Sequence, residues 1–218
     1  MKAQLPEFQK DFYFLKNNLF TTYTLQVDFK NTYDFSLDLT EVFDKICSLY
    51  DKNRFAKLNE AQLEKDFISK VLEALGWHLL YQEIKIIQGK QEKPDYILFP
   101  TLEEKKKYET IPQEKRRFSN QSIAAISESK AYNIEIDNKK VQDNPHFQIL
   151  HYLNNLKINF GFLTNAKFWR FYDNSKLSSN KIFYEIDLEA IIEKRDIEAF
   201  RYFYFIFNAK NFAMGGGA

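Results

Sequence analysis

The chain has 218 residues, a formal net charge of +1 and a hydrophobic fraction of 44%, with 22 Phe and 13 Tyr. This length suits one domain with additions, or two small domains, and the aromatic content can build a substantial core. The near-zero net charge excludes a global basic field, so contact with nucleic acid requires a local patch. The single cysteine excludes a disulfide framework, and no apolar run approaches the ~18–20 residues of a membrane span. Because the N-terminus also lacks a signal-peptide core, we expect a cytoplasmic protein with no membrane partner.

Residues 1–58 show no recognisable chemistry. Weak alternation over Tyr23–Phe29 predicts a strand, and helical spacing over Leu39–Leu49 predicts a helix. Cys47 lies in the second stretch, which favours core packing of its thiol. We interpret this region as an N-terminal extension or helical lobe.

A clear helix is predicted to begin after Asn59 and to end at Gly76. Asparagine is a favourable N-cap, and glycine is typical of the position after the last helical turn. Glu60 and Glu64 continue the apolar stripe of this helix, so at least one of them lies at the edge of the buried face and can point into a site. The alternative is that they are solvated acids of the first turn, favoured by the helix dipole.

Two strands are predicted next. Trp77–Ile87 has the composition of a strand, and the polar turn 88–90 ends it. Pro94 then leads into a strand that begins with Asp95, a position where proline removes no important ladder hydrogen bond.

Residues 101–121 form a charged segment, predicted as a helix or a loop insertion. Its basic runs are Lys105-Lys106-Lys107 and Lys115-Arg116-Arg117. Such runs are usually solvated faces, but beside a cleft they could contact phosphates.

Charged residues end the next apolar strand, Ile123–Lys130. Successive strand residues point to opposite faces, so Glu128 and Lys130 share a face about 6–7 Å apart. Burying unpaired charge costs several kcal/mol per ion, so this strand end indicates a site. With Asp95 at the head of another strand, two carboxylates and a lysine around a cleft can hold a divalent cation and activate a water molecule. The alternative is a chance pattern of surface charges.

The last part of the chain predicts one helix, a hairpin and further helices. Asn144-Pro145 begins a helix that runs to about Leu156 and places Gln148, His151 and Tyr152 on one face. Arg170 is expected to be exposed among the aromatic residues of the hairpin. The remaining predicted elements are strands at Ile158–Leu163, Phe168–Tyr172 and Lys181–Ile186, and helices from Asp187 and over Asp196–Asn211. This order predicts a mixed sheet with helices on both faces.

Several of these segments together resemble a known family. They are Asn59–Glu64, Leu72–Trp77, Pro94–Tyr96, Glu128–Ala131, Gln148–Tyr152 and the hairpin over Gly161–Tyr172. In this order and spacing they look like the PD-(D/E)xK nuclease domain, in particular the N-terminal nuclease domain of type IIG restriction-modification enzymes, and are similar to that of type I motor subunits. The resemblance implies an α/β fold with a restriction-endonuclease-like mixed sheet flanked by helices over 59–212. Residues 1–58 would be an N-terminal extension and 213–218 a flexible tail.

The resemblance also implies roles at the strand ends. Asp95 and Glu128 would bind Mg²⁺, with the main-chain carbonyl of Ser129 completing the ligand set. Lys130 would orient or polarise the attacking water and stabilise negative charge on the phosphate.

Helix residues complete the implied site. A helix glutamate usually joins the strand acids; Glu64 or Glu60 matches, and Glu64 is the favoured choice. Gln148 and Tyr152 match the Gln-x-x-x-Tyr pair that lies near DNA and the lysine in the restriction members. The alternative is a glutamine at the helix start and a core tyrosine.

The implied function is a DNA endonuclease domain that uses Mg²⁺, for which Mn²⁺ would substitute. Its partners would be double-stranded DNA and a methyltransferase and DNA-recognition domain, in cis or in trans. The alternatives are a non-catalytic DNA-binding module of nuclease fold and an interaction domain with surface ion pairs. His146 and His151 are five residues apart, which disfavours a helical zinc pair, and the chain has no phosphate-binding loop.

Overall fold

A seven-stranded mixed β-sheet forms the centre of the structure, a computed structural model that describes residues 12–137, 144–176 and 182–213. The strands in these ranges are β1 (Leu15–Asn17), β2 (His78–Tyr81), β3 (Lys85–Ile87), β4 (Lys90–Glu92), β5 (Tyr96–Phe99), β6 (Ala125–Ser129), β7 (Phe160–Thr164), β8 (Phe168–Asp173) and β9 (Tyr184–Asp187). The sheet order is β1-β9-β8-β7-β6-β5-β2, and β3 and β4 form a separate hairpin. β6 and β7 run parallel, whereas the other neighbouring strands are antiparallel.

Helices cover both faces of this sheet. They are α1 (Phe29–Thr32), α2 (Thr40–Leu49), α3 (Lys52–Phe55), α4 (Glu60–Leu63), α5 (Ser69–Ala74), α6 (Leu102–Glu109), α7 (Gln113–Arg116), α8 (Pro145–Leu156), α9 (Leu188–Lys194) and α10 (Ile197–Phe207). Wider π turns occur at Thr24–Asp28 and Glu64–Ile68, and 3₁₀ turns at Asn174–Lys176 and Ala209–Phe212. Within the described ranges, no helix combines the length and the apolar character needed to cross a bilayer.

Alternating side chains of the strands divide the interior into two cores. Tyr96 and Leu98 of β5 face the core that contains α2, α5, α9 and α10, whereas Ile97 and Phe99 face the core that contains α6 and α8. This alternation is expected of strands whose two faces are both covered. The prediction of an α/β fold with a mixed sheet flanked by helices, of restriction-endonuclease type, is confirmed.

The parallel pair β6–β7 is connected by α8, because parallel strands need a crossover. The side chain of Asn144 caps α8, Pro145 occupies its first turn, and Lys157 ends it in a left-handed conformation with φ of 53°. The predicted helix over 145–156 is therefore confirmed. Gly161 of β7 lies directly under this helix, where a side chain would collide with Leu153.

The helix predicted after Asn59 begins and ends where expected but is interrupted. Asn59 and Gln62 form a reciprocal capping box, and Gly76 follows the last turn with φ of 88°. Between α4 and α5 the π turn Glu64–Ile68 inserts extra backbone, which shifts the residues on either side relative to regular α-helical spacing.

Two strand predictions are wrong. Tyr23–Phe29 is helical, and its two buried residues, Leu25 and Phe29, are four apart, which is helical spacing rather than strand alternation. Trp77–Ile87 is two strands, since β2 pairs with β5 while β3 pairs with β4. Gln82 breaks the run with φ of 47°, and its N–H donates to the carbonyl of Asp95 at 2.9 Å.

The prediction that Arg170 is exposed is wrong, because the residue is only 3% exposed. β8 and β9 pair so that Arg170 lies opposite Glu185, and the two side chains form an ion pair. The guanidinium also lies 4.1 Å from the centre of the Phe183 ring. Burial is tolerated because the charge is paired and stacked.

The region before Asn59 shares the sheet and the core of the rest of the chain. β1 pairs with β9, and Phe14, Phe29 and Phe43 are buried in the same core as the central strands. α2 confirms the helix predicted over Leu39–Leu49, and Cys47 packs against that core. The domain division at residues 58 and 59 stays a prediction. Residues 1–11, Lys181 and 214–218 lie outside the described ranges.

Substituting Gly161 should destabilise the chain. The Cβ of Gly161→Ala would approach Leu153 Cδ1 to 2.9 Å and Ile149 Cγ1 to 3.1 Å. Overpacking of this kind typically costs about 1–3 kcal/mol, which urea denaturation would measure. Adding Leu153→Ala should make the double variant more stable than the sum of the single effects predicts. Strict additivity would contradict the close packing of α8 on β7.

Candidate active site

The pairing of β5 with β6 brings two carboxylates together at one end of these strands. The register that places Tyr96 opposite Ser127 continues to place Asp95 opposite Glu128. The Asp95 N–H donates to Glu128 Oε1 at 3.2 Å, and the Ser129 N–H donates to Asp95 Oδ2 at 2.7 Å. Asp95 is 9% exposed and Glu128 is 1% exposed. Both carboxylates are therefore fixed by backbone donors in a largely dry environment.

Lys130 brings a positive charge to the same strand end. Its Nζ lies 3.6 Å from Glu128 Oε2, and its side chain retains 15% exposure. Its backbone N–H donates to the carbonyl of Thr164 at 2.8 Å, which fixes the residue to β7 just beyond β6. The distance agrees with the expectation that Lys130 and Glu128 share a face.

Both candidate helix acids, Glu60 and Glu64, lie near Asp95. Glu60, Glu64 and Asp95 each offer a carboxylate oxygen, and these oxygens lie within 4.8 Å of one another. Glu64 is 2% exposed, whereas Glu60 is only partly buried. The π turn begins at Glu64, and π turns are frequent at functional sites.

Burial and mutual repulsion raise the pKa of each buried acid. Burial, and then the charge of Asp95, raises the pKa of Glu64 to about 7. Burial also raises the pKa of Asp95, against the hydrogen bond from Ser129 and the charge of Lys130. For Glu128, burial and Asp95 hold the pKa well above its usual range, and Lys130 opposes them. The carboxylates are too crowded for one lysine to neutralise.

This donor set fits a hard divalent cation. Carboxylate oxygens are the ligands that Mg²⁺ prefers, and a cation would relieve the repulsion that raises these pKa values. Asp95 lies in one observed cluster of candidate ligands with Glu60 and Glu64. The ligand set of Asp95, Glu128 and the Ser129 carbonyl, which the family resemblance implies, stays a prediction.

Gln148 and Tyr152 of α8 lie next to the strand acids. Tyr152 is 5% exposed and packs in the core on the α8 side of the sheet. Burial and the nearby charge of Glu128 raise the pKa of Tyr152 to about 12, and a hydrogen bond with Gln148 opposes this increase. Tyr152 therefore has a core role whatever else it does, and the half-buried Gln148 is the more accessible member of the pair. Contact of either residue with DNA stays a prediction.

Tyr81 and Gln82 were not found by sequence reasoning. The Tyr81 hydroxyl donates to Glu64 Oε2 at 2.7 Å and accepts from Gln82 Nε2 at 3.0 Å. Tyr81 borders an open cleft of about 420 Å³ that Glu64 and Tyr96 also line. No periodicity links Tyr81 to Glu64, because they meet only when β2 joins the edge of the sheet.

The basic runs are partly engaged in local ion pairs. Lys107 lies 2.9 Å from Glu103 on α6, and Arg116 lies 3.3 Å from Glu83. These contacts agree with solvated or locally paired faces. A role in phosphate contact stays a prediction.

The two histidines of α8 contact different partners. His146 Nδ1 lies 2.8 Å from the Tyr172 hydroxyl, inside the protein, whereas His151 Nε2 lies 3.0 Å from Glu92 Oε1. Each imidazole therefore has a polar partner of its own.

No protein-family model and no curated protein sequence matches the chain. A solved structure, the cryo-EM structure of a DrdV–DNA complex, is similar with a TM-score of 0.43 and 13% sequence identity over 77% of this chain. This chain spans only 13% of the length of the matched chain. The assignment of the site therefore depends on its own geometry.

Stability of the metal-free chain should decrease as the pH rises from about 4.5 to about 7, the ordinary and raised pKa of Glu64. The folded state holds this proton more tightly than the unfolded chain, so its stabilising effect is lost as the carboxyl ionises. Glu64→Gln should reduce the decrease by about 1–3 kcal/mol in urea denaturation at several pH values. The raised pKa values of Asp95 and Glu128 also make the chain less stable as the pH rises, so part of the pH dependence should remain in Glu64→Gln.

The exposed acid Glu114 supplies the control for this experiment. Glu114→Gln should leave the pH slope of the free energy of unfolding unchanged, because Glu114 is exposed to solvent on α7. An identical slope for the wild type and Glu64→Gln would contradict the raised pKa of Glu64.

Proposed function

We propose that this chain is a Mg²⁺-dependent DNA endonuclease domain of a restriction or restriction-modification system. The observation that carries the proposal is the convergence of Asp95, Glu128 and Lys130 at the ends of β5 and β6. Glu64 joins them from the helix across the site. Such a group combines oxygen ligands for a cation with a lysine for an anionic phosphate. Surface ion pairs alone would not place three buried carboxylates near one lysine.

Asp95 would hold the cation, either with Glu60 and Glu64 or with Glu128 and the Ser129 carbonyl. The bound cation would supply Lewis acidity and favour an ionised water molecule. Mn²⁺ should substitute for Mg²⁺, because it accepts the same oxygen ligands.

Lys130 would act on the DNA phosphate and the attacking water. Its ammonium is held beside Glu128 but keeps some exposure, so it can meet an incoming phosphate. Positive charge placed there stabilises the charge that develops in the transition state more than the charge of bound substrate. Gln148 would place the DNA or the lysine without taking part in proton transfer.

Sequence specificity would come from another domain or subunit, such as a methyltransferase with a DNA-recognition domain. The net charge of +1 gives no global attraction to DNA, and the basic runs are partly paired within the chain. Binding of double-stranded DNA by this chain alone should therefore be weak, salt-dependent and insensitive to sequence.

Metal titration should identify the ligands. Asp95→Asn should weaken Mn²⁺ affinity most, because Asp95 belongs to both possible ligand sets. Glu60→Gln and Glu128→Gln should then separate the two sets, since only the set in use loses affinity. Isothermal titration calorimetry gives the affinities, and Glu103→Gln serves as an exposed acidic control. Unchanged affinity in Asp95→Asn would remove this residue from the metal site.

Cleavage should depend on Lys130 without a matching loss of metal binding. Lys130→Ala should reduce cleavage of plasmid DNA by at least about 100-fold, because it removes charge stabilisation at the phosphate. Gln148→Ala should reduce cleavage by about 10-fold, mainly through substrate placement. The assay would use the full chain at high concentration with Mn²⁺, and also a fusion to a DNA-recognition module.

Lys52→Ala is the control for the loss of a paired lysine outside the site, because Lys52 forms an ion pair with Glu193 of α9. Wild-type rates in Lys130→Ala would refute the assigned active site. Binding of DNA without cleavage by the wild type, in both assay formats, would favour the non-catalytic DNA-binding module.

A further inference from the structure

Tyr81 is an exposed side chain held in one position by polar contacts. It is 51% exposed, at the end of the edge strand β2. Its hydroxyl donates to Glu64 Oε2 at 2.7 Å, and the Gln82 amide donates to that hydroxyl at 3.0 Å. The Tyr81 hydroxyl thus donates to a buried carboxylate oxygen while the Gln82 amide occupies its acceptor side.

Gln82 connects this hydroxyl to the strand acid. Its backbone has φ of 47°, a left-handed conformation that is uncommon for a residue other than glycine. In this conformation its N–H donates to the Asp95 carbonyl at 2.9 Å while its side chain reaches Tyr81. Strained backbone of this kind is concentrated at functional sites. One residue thus touches the backbone of Asp95 and, through Tyr81, the carboxylate of Glu64.

Core packing does not account for the position of Tyr81. Its ring lies 5.6 Å from the ring of Tyr96, but the opposite side faces solvent and the open cleft. An exposed aromatic ring contributes little burial, whereas its hydroxyl reaches a carboxylate that is 2% exposed. The hydrogen bond from Tyr81 to Glu64 is therefore the contact that requires a functional explanation.

We propose that Tyr81 is a positioning residue that orients Glu64 for cation binding, with Gln82 fixing the Tyr81 hydroxyl. The inference rests on the proposed function insofar as that function places a divalent cation at Glu64 and Asp95. One oxygen of Glu64 accepts the Tyr81 hydrogen bond, which limits rotation of the carboxylate and leaves the other oxygen for the cation. Outer hydrogen bonds of this type typically affect metal affinity by about 10–100-fold.

Calorimetric titration with Mn²⁺ tests this role. Tyr81→Phe removes only the hydroxyl and should weaken Mn²⁺ affinity by about 10-fold. Gln82→Ala should weaken it in the same direction but less, because Tyr81 keeps its direct contact with Glu64. Tyr13→Phe is the matched control: Tyr13 is 44% exposed and its hydroxyl lies 2.9 Å from Asp196 Oδ2, an equivalent contact that involves none of the site residues. Tyr13→Phe should keep wild-type Mn²⁺ affinity.

Urea denaturation of the same variants separates positioning from a structural role. A purely structural tyrosine would lower the free energy of unfolding and leave Mn²⁺ affinity unchanged, and this result would overturn the proposal. Absence of Mn²⁺ binding by the wild type would overturn it too. If the wild type binds Mn²⁺, Tyr81→Phe weakens binding and neither cuts DNA, the positioning role stands while the endonuclease function fails.

Discussion

The antiparallel pairing of β5 with β6 is the constraint on which the candidate site depends. This register sets Asp95 across from Glu128 and allows backbone N–H groups to hold both carboxylates. A shift by one residue would turn every side chain of the strand to the opposite face and separate the two acids. The apolar residues between them and the helices prevent such a shift, because both faces of these strands are buried. The core therefore determines the geometry of the charges.

The fold holds the buried carboxylates of the site close together although their ionisation is unfavourable there. Glu64, Asp95 and Glu128 are nearly removed from water, and burial opposes the ionisation of each of them. A fold selected for stability alone would replace one of them with an apolar residue. Their joint presence beside Lys130 is the kind of local conflict that marks a functional region in an otherwise consistent structure.

Local sequence rules were sufficient to predict some elements of the structure. Asn144 and Pro145 define the start of α8 through capping and a fixed φ, and the strand alternation around Glu128 places its side chain without reference to other strands. Arg170 could not be predicted in the same way, because its burial depends on a partner that only the pairing of β8 with β9 supplies. The contact of Tyr81 with Glu64 could not be predicted from the sequence for a related reason, since it joins an edge strand to a helix with a π turn. The helical segment over 23–29 was misassigned because weak alternation is a poor guide in a short apolar run.

The pairing of β1 with β9 limits how the chain can be shortened. A fragment that begins near residue 59 would lose β1 and leave the N–H and C=O groups of β9 unpaired along one side of the sheet. It would also uncover the apolar surface now occupied by Phe14 and Phe29. Open strand edges next to apolar surface recruit strands from other molecules. Preparations that begin near residue 59 would therefore tend to self-associate, and a fusion partner for this protein is better attached without removing the first strand.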